Sequence, residues 1–269
     1  SWLKPWLIGA AIPSDCIERP RLATRISLEV FSGAAGLSLA LYAHGGPVGH
    51  PIECYERGKY VRELDFNNPQ CICTIRHMIA SGILFYVHWG IPCSPWANAN
   101  TMNGGTRNSE HPDGGAVPLP RELVGNRQAE LVAELCWLLH EQGGWFSVEN
   151  PFNSFLFKSS WFRKLCDRVS TYFCVLDQCA FDLVLPGALP CTFCKKRTGF
   201  LTNFPEIRKL ERVCPGLGPN HKHDHAWGSR LVGGKHISLA KAAGRYPENL
   251  CEALAAIIAS MRDNASPPL

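Results

Sequence analysis

The run Ile83-Leu84-Phe85-Tyr86-Val87-His88-Trp89 limits the possible folds more than any other stretch. Its length and its β-branched and aromatic content read as a strand buried in a sheet. Gly90-Ile91-Pro92-Cys93-Ser94-Pro95-Trp96 follows, which puts Cys93 on a turn at a strand end. A second apolar strand, Trp145 to Val148, runs into Glu149-Asn150-Pro151. In open α/β sheets ligands bind beyond the carboxyl ends of the strands, so Cys93 and Glu149 are placed to share one site.

The rest of the chain repeats this pattern. Ile26, Leu28 and Val30 alternate with Ser27 and Glu29, then Phe31-Ser32-Gly33-Ala34-Ala35-Gly36 leads into a helical stretch, Leu37 to Ala43. A turn of small residues lets a cofactor approach the backbone, and the free amides of the next helix face it. A tight crossover without a ligand would use the same turn. Pro51-Ile52-Glu53-Cys54-Tyr55 places a carboxylate at a second strand end about 20 residues after the glycines, where such folds hold a ribose hydroxyl pair. Glu53 is thus a ribose ligand or a solvated strand-end acid. Asp65 contacts an adenine amino group or caps a turn.

Helices are predicted over Gln70–Ala80, Arg121–Gln142, Ser160–Val169 with Ser160 as cap, and Glu248–Met261, and a further strand over Tyr172–Leu176. Alternating strands and helices indicate a mainly parallel, doubly wound sheet. The Gly-rich stretch 98–120 beside Cys93 reads as a mobile lid. Residues 1–25 form an arm packed by Trp2 and Trp6, 26–177 the main domain, 178–242 a small lobe, and 243–269 a segment returning to the main domain.

The 269 residues, 46% hydrophobic and 19% charged, suffice for one substantial core and a small second lobe. No apolar run approaches the roughly 18–20 residues of a membrane span, and the start lacks a signal-peptide layout. No membrane partner is expected, and the expected location is intracellular. A first residue of Ser rather than Met fits a piece of a longer chain. A net charge of +4 with scattered cations argues only weakly for a polyanionic partner. The thirteen cysteines sit mostly singly inside apolar elements, unlike a disulfide framework. Residues 178–242 differ: Cys191-Thr192-Phe193-Cys194, Cys214 and His221-Lys222-His223-Asp224-His225 offer ligands for a structural zinc. The reading takes Cys191, Cys194, Cys214 and His221 or His223 as ligands, with Cys179 among the surplus. Buried thiols and an exposed histidine loop are the alternative.

These motifs, in this order over roughly residues 26–262, resemble the carbon-5 cytosine DNA methyltransferase family, in a divergent form like members carried by mobile elements. Phe31 to Leu37 is similar to the family's cofactor motif, and Glu53 and Asp65 to its next acidic positions. Pro92-Cys93 resembles the nucleophile motif and Val148 to Pro151 the Glu-Asn-Val motif. Lys195 to Asn203 resembles the basic substrate-facing motif, and Ala242 to Ala255 the closing motif and its helix. The chain departs from the pattern at Ala35, at Ser94-Pro95-Trp96 and at Arg245.

The resemblance implies a class I methyltransferase fold with an antiparallel final strand. It also implies an S-adenosylmethionine site of Phe31, Gly33, Gly36, Leu37, Glu53, Asp65 and Pro92. Cys93 would be the nucleophile and Glu149 the group that stabilises charge in the ring, with Lys196 and Arg197 on the flanking phosphate or the cytosine carbonyl. In a eukaryote the location would be nuclear. Only about 40 residues separate Asn203 from Gly244, too few to present many base-reading side chains. Short-site specificity follows, or recognition supplied by a partner or a further part of the chain. Methylation of structured RNA and a catalytically inert nucleic-acid-binding module remain as alternatives to DNA methylation.

Overall fold

A computed structural model of the chain describes residues 25–264 and the two-residue strand β1 (Leu7–Ile8). Apart from β1 and Arg25, the arm assigned to residues 1–25 lies outside the described residues. The chain continues through β2 (Ile26–Val30), α1 (Gly36–Ala43), β3 (Val48–Gly49), a hairpin of β4 (Tyr55–Glu56) and β5 (Lys59–Tyr60), α2 (Pro69–Ala80) and β6 (Leu84–Trp89). Next come α3 (Asn98–Met102), α4 (Pro120–Glu141), β7 (Trp145–Pro151), α5 (Ser160–Arg168) and β8 (Tyr172–Asp177). Then follow β9 (Thr192–Cys194), β10 (Arg197–Thr202), β11 (Lys222–Asp224), β12 (Ser229–Val232), β13 (Lys235–Ser238), α6 (Leu239–Ala242) and α7 (Glu248–Asn264).

Seven strands form one mixed, mostly parallel sheet in the order β1-β3-β2-β6-β7-β10-β8. The consecutive pairs from β3 through β7 are parallel. β10 is antiparallel to both neighbours, with Phe200 opposite Glu149 on β7 and Cys174 on β8. Helices cover both faces, as an α/β fold requires. On one face α2, α4 and α5 bury Ile75, Val132 and Phe162 against Leu28 and Trp89. On the other, α1 and α7 bury Leu37, Leu41 and Leu254 against Phe85 and Phe200.

Double coverage explains a first difference from the sequence. All five residues of β2 are buried, Ser27 and Glu29 included, although the alternation reads as a half-exposed strand. Glu29 is accommodated because its Oε2 accepts hydrogen bonds from Ser38 N at 2.8 Å and Ser38 Oγ at 2.7 Å. Burial still pushes its carboxyl up to about 7, against those two bonds. The strand expected at Pro51–Tyr55 is reduced to a single bridge, Val30 to Ile52, beyond the short β3. Ser159, one residue before the expected cap, accepts the hydrogen bond from Phe162 N that starts α5.

The stretch 98–120, expected as a mobile lid, is packed around a buried carboxylate and a buried guanidinium. Glu122 is fully buried and accepts from Thr106 N and Oγ1, Leu119 N and Asn100 Nδ2. Burial opposes ionisation of this carboxyl, but those bonds and Arg107 pull it down to about 2. The Arg107 guanidinium lies 3.6 Å from the Trp96 ring and donates to Pro112 O, Glu122 O and Asn126 Oδ1. A buried cation on an aromatic face pins the middle of the segment to the turn that carries Cys93.

The interval 178–242 is divided. β10 lies in the main sheet, and the turn at Pro205–Leu210 buries Ile207 and Leu210 in the main core. The lobe keeps the pair β9/β11, the hairpin β12/β13 and α6 around Leu183, Leu185, Cys194, Leu239 and Ala243. Among the described residues, no helix is long and apolar enough to cross a membrane.

Candidate functional site

A cavity of about 240 Å³ opens at the carboxyl ends of β2 and β6, where Phe31, Glu53, Asp65, Phe66 and Pro92 line it. The turn after β2 holds Phe31, Gly33 and Ala35 at φ 58°, 54° and 55°, the left-handed region that non-glycine residues seldom adopt. This folds the turn back so that Gly33 N donates to Glu53 Oε2 at 3.0 Å. The Phe31 and Phe66 rings lie 4.8 Å apart. Asp65 accepts from Tyr60 Oη at 2.7 Å and Asn67 N at 2.9 Å, and those bonds outweigh burial and lower its carboxyl. Two carboxylates beside two aromatic rings suit a ligand with hydroxyl or amino donors and a flat ring.

Two residues expected at this site lie elsewhere. A Cβ on Gly36 would stand 3.2 Å from Cys251 Sγ, so this glycine allows α1 and α7 to pack closely. Leu37 is fully buried in the core between the same helices. Both positions serve packing because α1 turns this side away from the cavity.

Trp89 on β6 pairs with Val148 on β7, so the two strands deliver Gly90 and Glu149 side by side. A Cβ at Gly90 would meet Phe31 O at 3.0 Å and Tyr246 Oη at 3.3 Å, so a glycine is required where the strand ends converge. Asn150 Nδ2 donates to Ile91 O at 2.8 Å and ties the Pro92-Cys93 turn to β7. Cys93 O accepts from Trp96 N and Ala97 N, both at 2.9 Å, which closes the turn. Cys93 is exposed, yet protein crowds it closely. Partial burial raises its thiol above the ordinary value, Lys196 opposes the rise and Glu149 adds to it.

Glu149 is 6% exposed. Its Oε1 receives no hydrogen bond, although Lys196 Nζ stands 3.5 Å away. Its Oε2 accepts from Tyr246 Oη at 3.1 Å. Behind Tyr246 runs a buried chain: Tyr246 Oη to His88 Nε2 at 3.0 Å, His88 Nδ1 to Ser147 Oγ at 2.8 Å, and Ser147 Oγ to Tyr86 Oη at 2.6 Å. Burial pulls His88 down to about 3, so the ring is neutral. With Glu149 as final acceptor, each hydroxyl and the imidazole donate toward it, from Tyr86 through Ser147 and His88 to Tyr246. None of these four residues stood out in the sequence, because Tyr86 and His88 sit inside an apolar run and Tyr246 comes from a distant turn.

Arg197, expected beside the substrate with Lys196, points elsewhere. Its Nε and Nη2 donate to Asp177 at 3.1 and 3.3 Å, and its guanidinium lies 5.9 Å from the Phe152 ring. Successive side chains on a strand face opposite ways, so two neighbouring cations cannot both reach Glu149. Lys196 is the one that does.

In the lobe, one donor atom from each of Cys179, Cys214, His221 and His223 lies within 4.8 Å of the others, a group that could hold a metal. Cys191 and Cys194, expected as ligands, are not in it. Cys194 is buried in the lobe's own core, and Cys191 is exposed in a left-handed turn before β9. The Cys-x-x-Cys runs through β9, and it is His223 on the neighbouring β11 and His221 just before that strand that reach Cys214. No protein-family model matches the chain, and no curated protein matches it either.

Proposed function

We propose that this chain methylates carbon 5 of cytosine in DNA through a covalent adduct with Cys93. The observation that carries this reading is the convergence at the strand ends. Pro92 forms part of the cavity wall, the next residue is the thiol, and a buried carboxylate with an unused oxygen stands on the adjacent strand. The antiparallel strand β10, inserted between β7 and β8, agrees with the strand arrangement the resemblance implies.

Glu53, Asp65, Phe31 and Phe66 would hold S-adenosylmethionine, which would supply the electrophilic methyl group. Cytosine carbon 5 is a poor nucleophile, so Cys93, which is exposed, gives up its proton to solvent and adds as the thiolate to carbon 6. The electron pair of the 5,6 double bond would then reach carbon 5 and form the new carbon–carbon bond as the methyl–sulfonium bond breaks, the pair from that bond staying on the departing thioether sulfur. Glu149 shares its proton with ring N3 through Oε1, countering the charge displaced into the ring. The Tyr246–His88 chain keeps Oε2 occupied, so Oε1 is the atom left to face the base. Lys196 steadies Glu149 and the developing thiolate. Loss of the carbon-5 proton to water returns the electron pair, and the carbon 6–sulfur bond breaks to free Cys93. Duplex cytosine reaches such a pocket only when flipped out of the stack.

The test is covalent trapping. Protein, its Cys93→Ala variant, S-adenosylmethionine and 5-fluorocytosine-containing duplex are incubated and resolved on a denaturing gel. A Cys93-dependent adduct on DNA is the expected result. An adduct on structured RNA alone would change the substrate class, and no adduct on either, with cofactor bound, would overturn the reaction. Because the thiol is raised, adduct formation should accelerate with pH across the neutral range.

A further inference from the structure

We propose that Cys179, Cys214, His221 and His223 hold one structural zinc ion that pins the small lobe to the end of the main sheet. The inference is independent of the methyl-transfer reading. Zinc bound by thiolates at about 2.3 Å and imidazoles at about 2.0 Å in a tetrahedron separates its donors by roughly 3.3–3.8 Å. The structure gives 3.6 Å from Cys214 Sγ to His221 Nε2, 3.2 Å from Cys214 Sγ to His223 Nε2, and 3.2 Å between the two Nε2 atoms. Three donor separations therefore lie close to the edges of such a tetrahedron, and Cys179 supplies its fourth corner. Two sulfurs and two imidazole nitrogens favour zinc over the oxygen-seeking cations, and four protein ligands leave no open position for a substrate. The site is therefore structural.

The surroundings indicate what it holds. Five buried residues make up the lobe's own core, too few to fix four short strands and a one-turn helix. Phe193 stacks on His221 at 4.9 Å and sets its plane. Cys179 lies two residues beyond the end of β8, and its neighbours attach to the site around Glu149. Asp177 accepts from Cys214 N at 2.9 Å and from Arg197, while Gln178 N donates to Lys196 O at 2.9 Å. An ion joining Cys179 to Cys214, His221 and His223 thus braces the strand start from which Lys196 reaches Glu149.

The experiment measures metal in the purified full chain by plasma mass spectrometry. About one zinc per chain is expected, falling below about 0.3 in Cys214→Ser and His223→Ala and staying near one in Cys191→Ser. Should those variants fail to fold, His223→Cys, which keeps four ligands, is expected to retain the ion. Cobalt exchanged into the wild type should give the strong visible absorption of a tetrahedral thiolate–imidazole site. Chelation should make the 211–238 region sensitive to trypsin while the main sheet stays resistant. The proposal is overturned if the wild type holds less than about 0.3 zinc and gives no tetrahedral cobalt spectrum. It is also overturned if Cys191→Ser loses zinc that Cys179→Ser retains, or if Cys179 and Cys214 are joined as a disulfide.

Discussion

At the carboxyl end of the sheet, Glu149 is held by a hydrogen-bond chain packed within two large apolar layers, and Phe200 and Trp89 nearby are fully buried. In the lobe, the corresponding support is five buried residues and a group of sulfur and imidazole donors. Both regions immobilise polar groups, but one does so by excluding water from a core and the other by converging ligands. A region of the first kind unfolds with the whole domain, whereas one of the second kind can open alone when its ligands are disturbed.

Truncation separates the two most sharply. Phe200→Ala removes a fully buried ring from the strand shared by β7 and β8, and should cost about 3–5 kcal/mol of global stability in denaturant titration. Leu185→Ala in the lobe should instead leave the global midpoint nearly unchanged and speed amide exchange in β9 and β11. Equal shifts of the global midpoint would mean that sheet and lobe form one cooperative unit.

A second contrast is pH. Glu29 is raised to about 7 in the folded sheet from an ordinary 4.5. Between those values the folded state binds more protons than the unfolded chain at this group, so its contribution to stability is complete below pH 4.5 and is lost as pH rises through 7. The full loss from this group is about 3 kcal/mol. Glu29→Gln keeps an acceptor for Ser38 and should flatten that slope; an unchanged slope would assign the titration to another group.

Tyr246→Phe tests the hydrogen-bond chain with a smaller change. It leaves His88 Nε2 and Glu149 Oε2 without their shared partner, at a cost of about 1–3 kcal/mol. Calorimetric melting of the two proteins measures it, and a neutral result would mean that water replaces the hydroxyl.

How far each region can be read from sequence follows the same division. The runs around Val87 and Val148 announce buried strands because both sheet faces are covered, and each strand end leads to a candidate site residue, Cys93 or Glu149. The donors behind Glu149 carry no local signal: His88 and Tyr246 are 158 residues apart and meet only through the sheet. The lobe misleads for a related reason. Cys191 and Cys194 have the spacing of a ligand pair, but β9 buries Cys194, while Cys179 enters the group because β8 ends beside Cys214. Arg107 and Glu122 likewise look like surface charges in a polar stretch, and only the burial of both and the Trp96 ring beneath Arg107 reveal a buried clamp.

The smallest expected effect bears on the turn that leads into the cavity. Ala35 sits at φ 55°, ψ 31°, caps α1 without a side-chain hydrogen bond, and occupies a conformation that costs a non-glycine residue about 1–2 kcal/mol. Ala35→Gly relieves that strain and gives back roughly 0.5–1 kcal/mol through added freedom of the unfolded chain. A net gain of about 0.5–1 kcal/mol remains, measurable as a higher denaturant midpoint. Gly33 provides the internal control: it has the same sign of φ, so Gly33→Ala should destabilise by about 1 kcal/mol although nothing lies within 4 Å of the added methyl group. If both substitutions were neutral, the turn would have to relax out of the left-handed region in solution. The Gly33–Glu53 hydrogen bond that shapes the cavity would then form only when a ligand holds the turn in place.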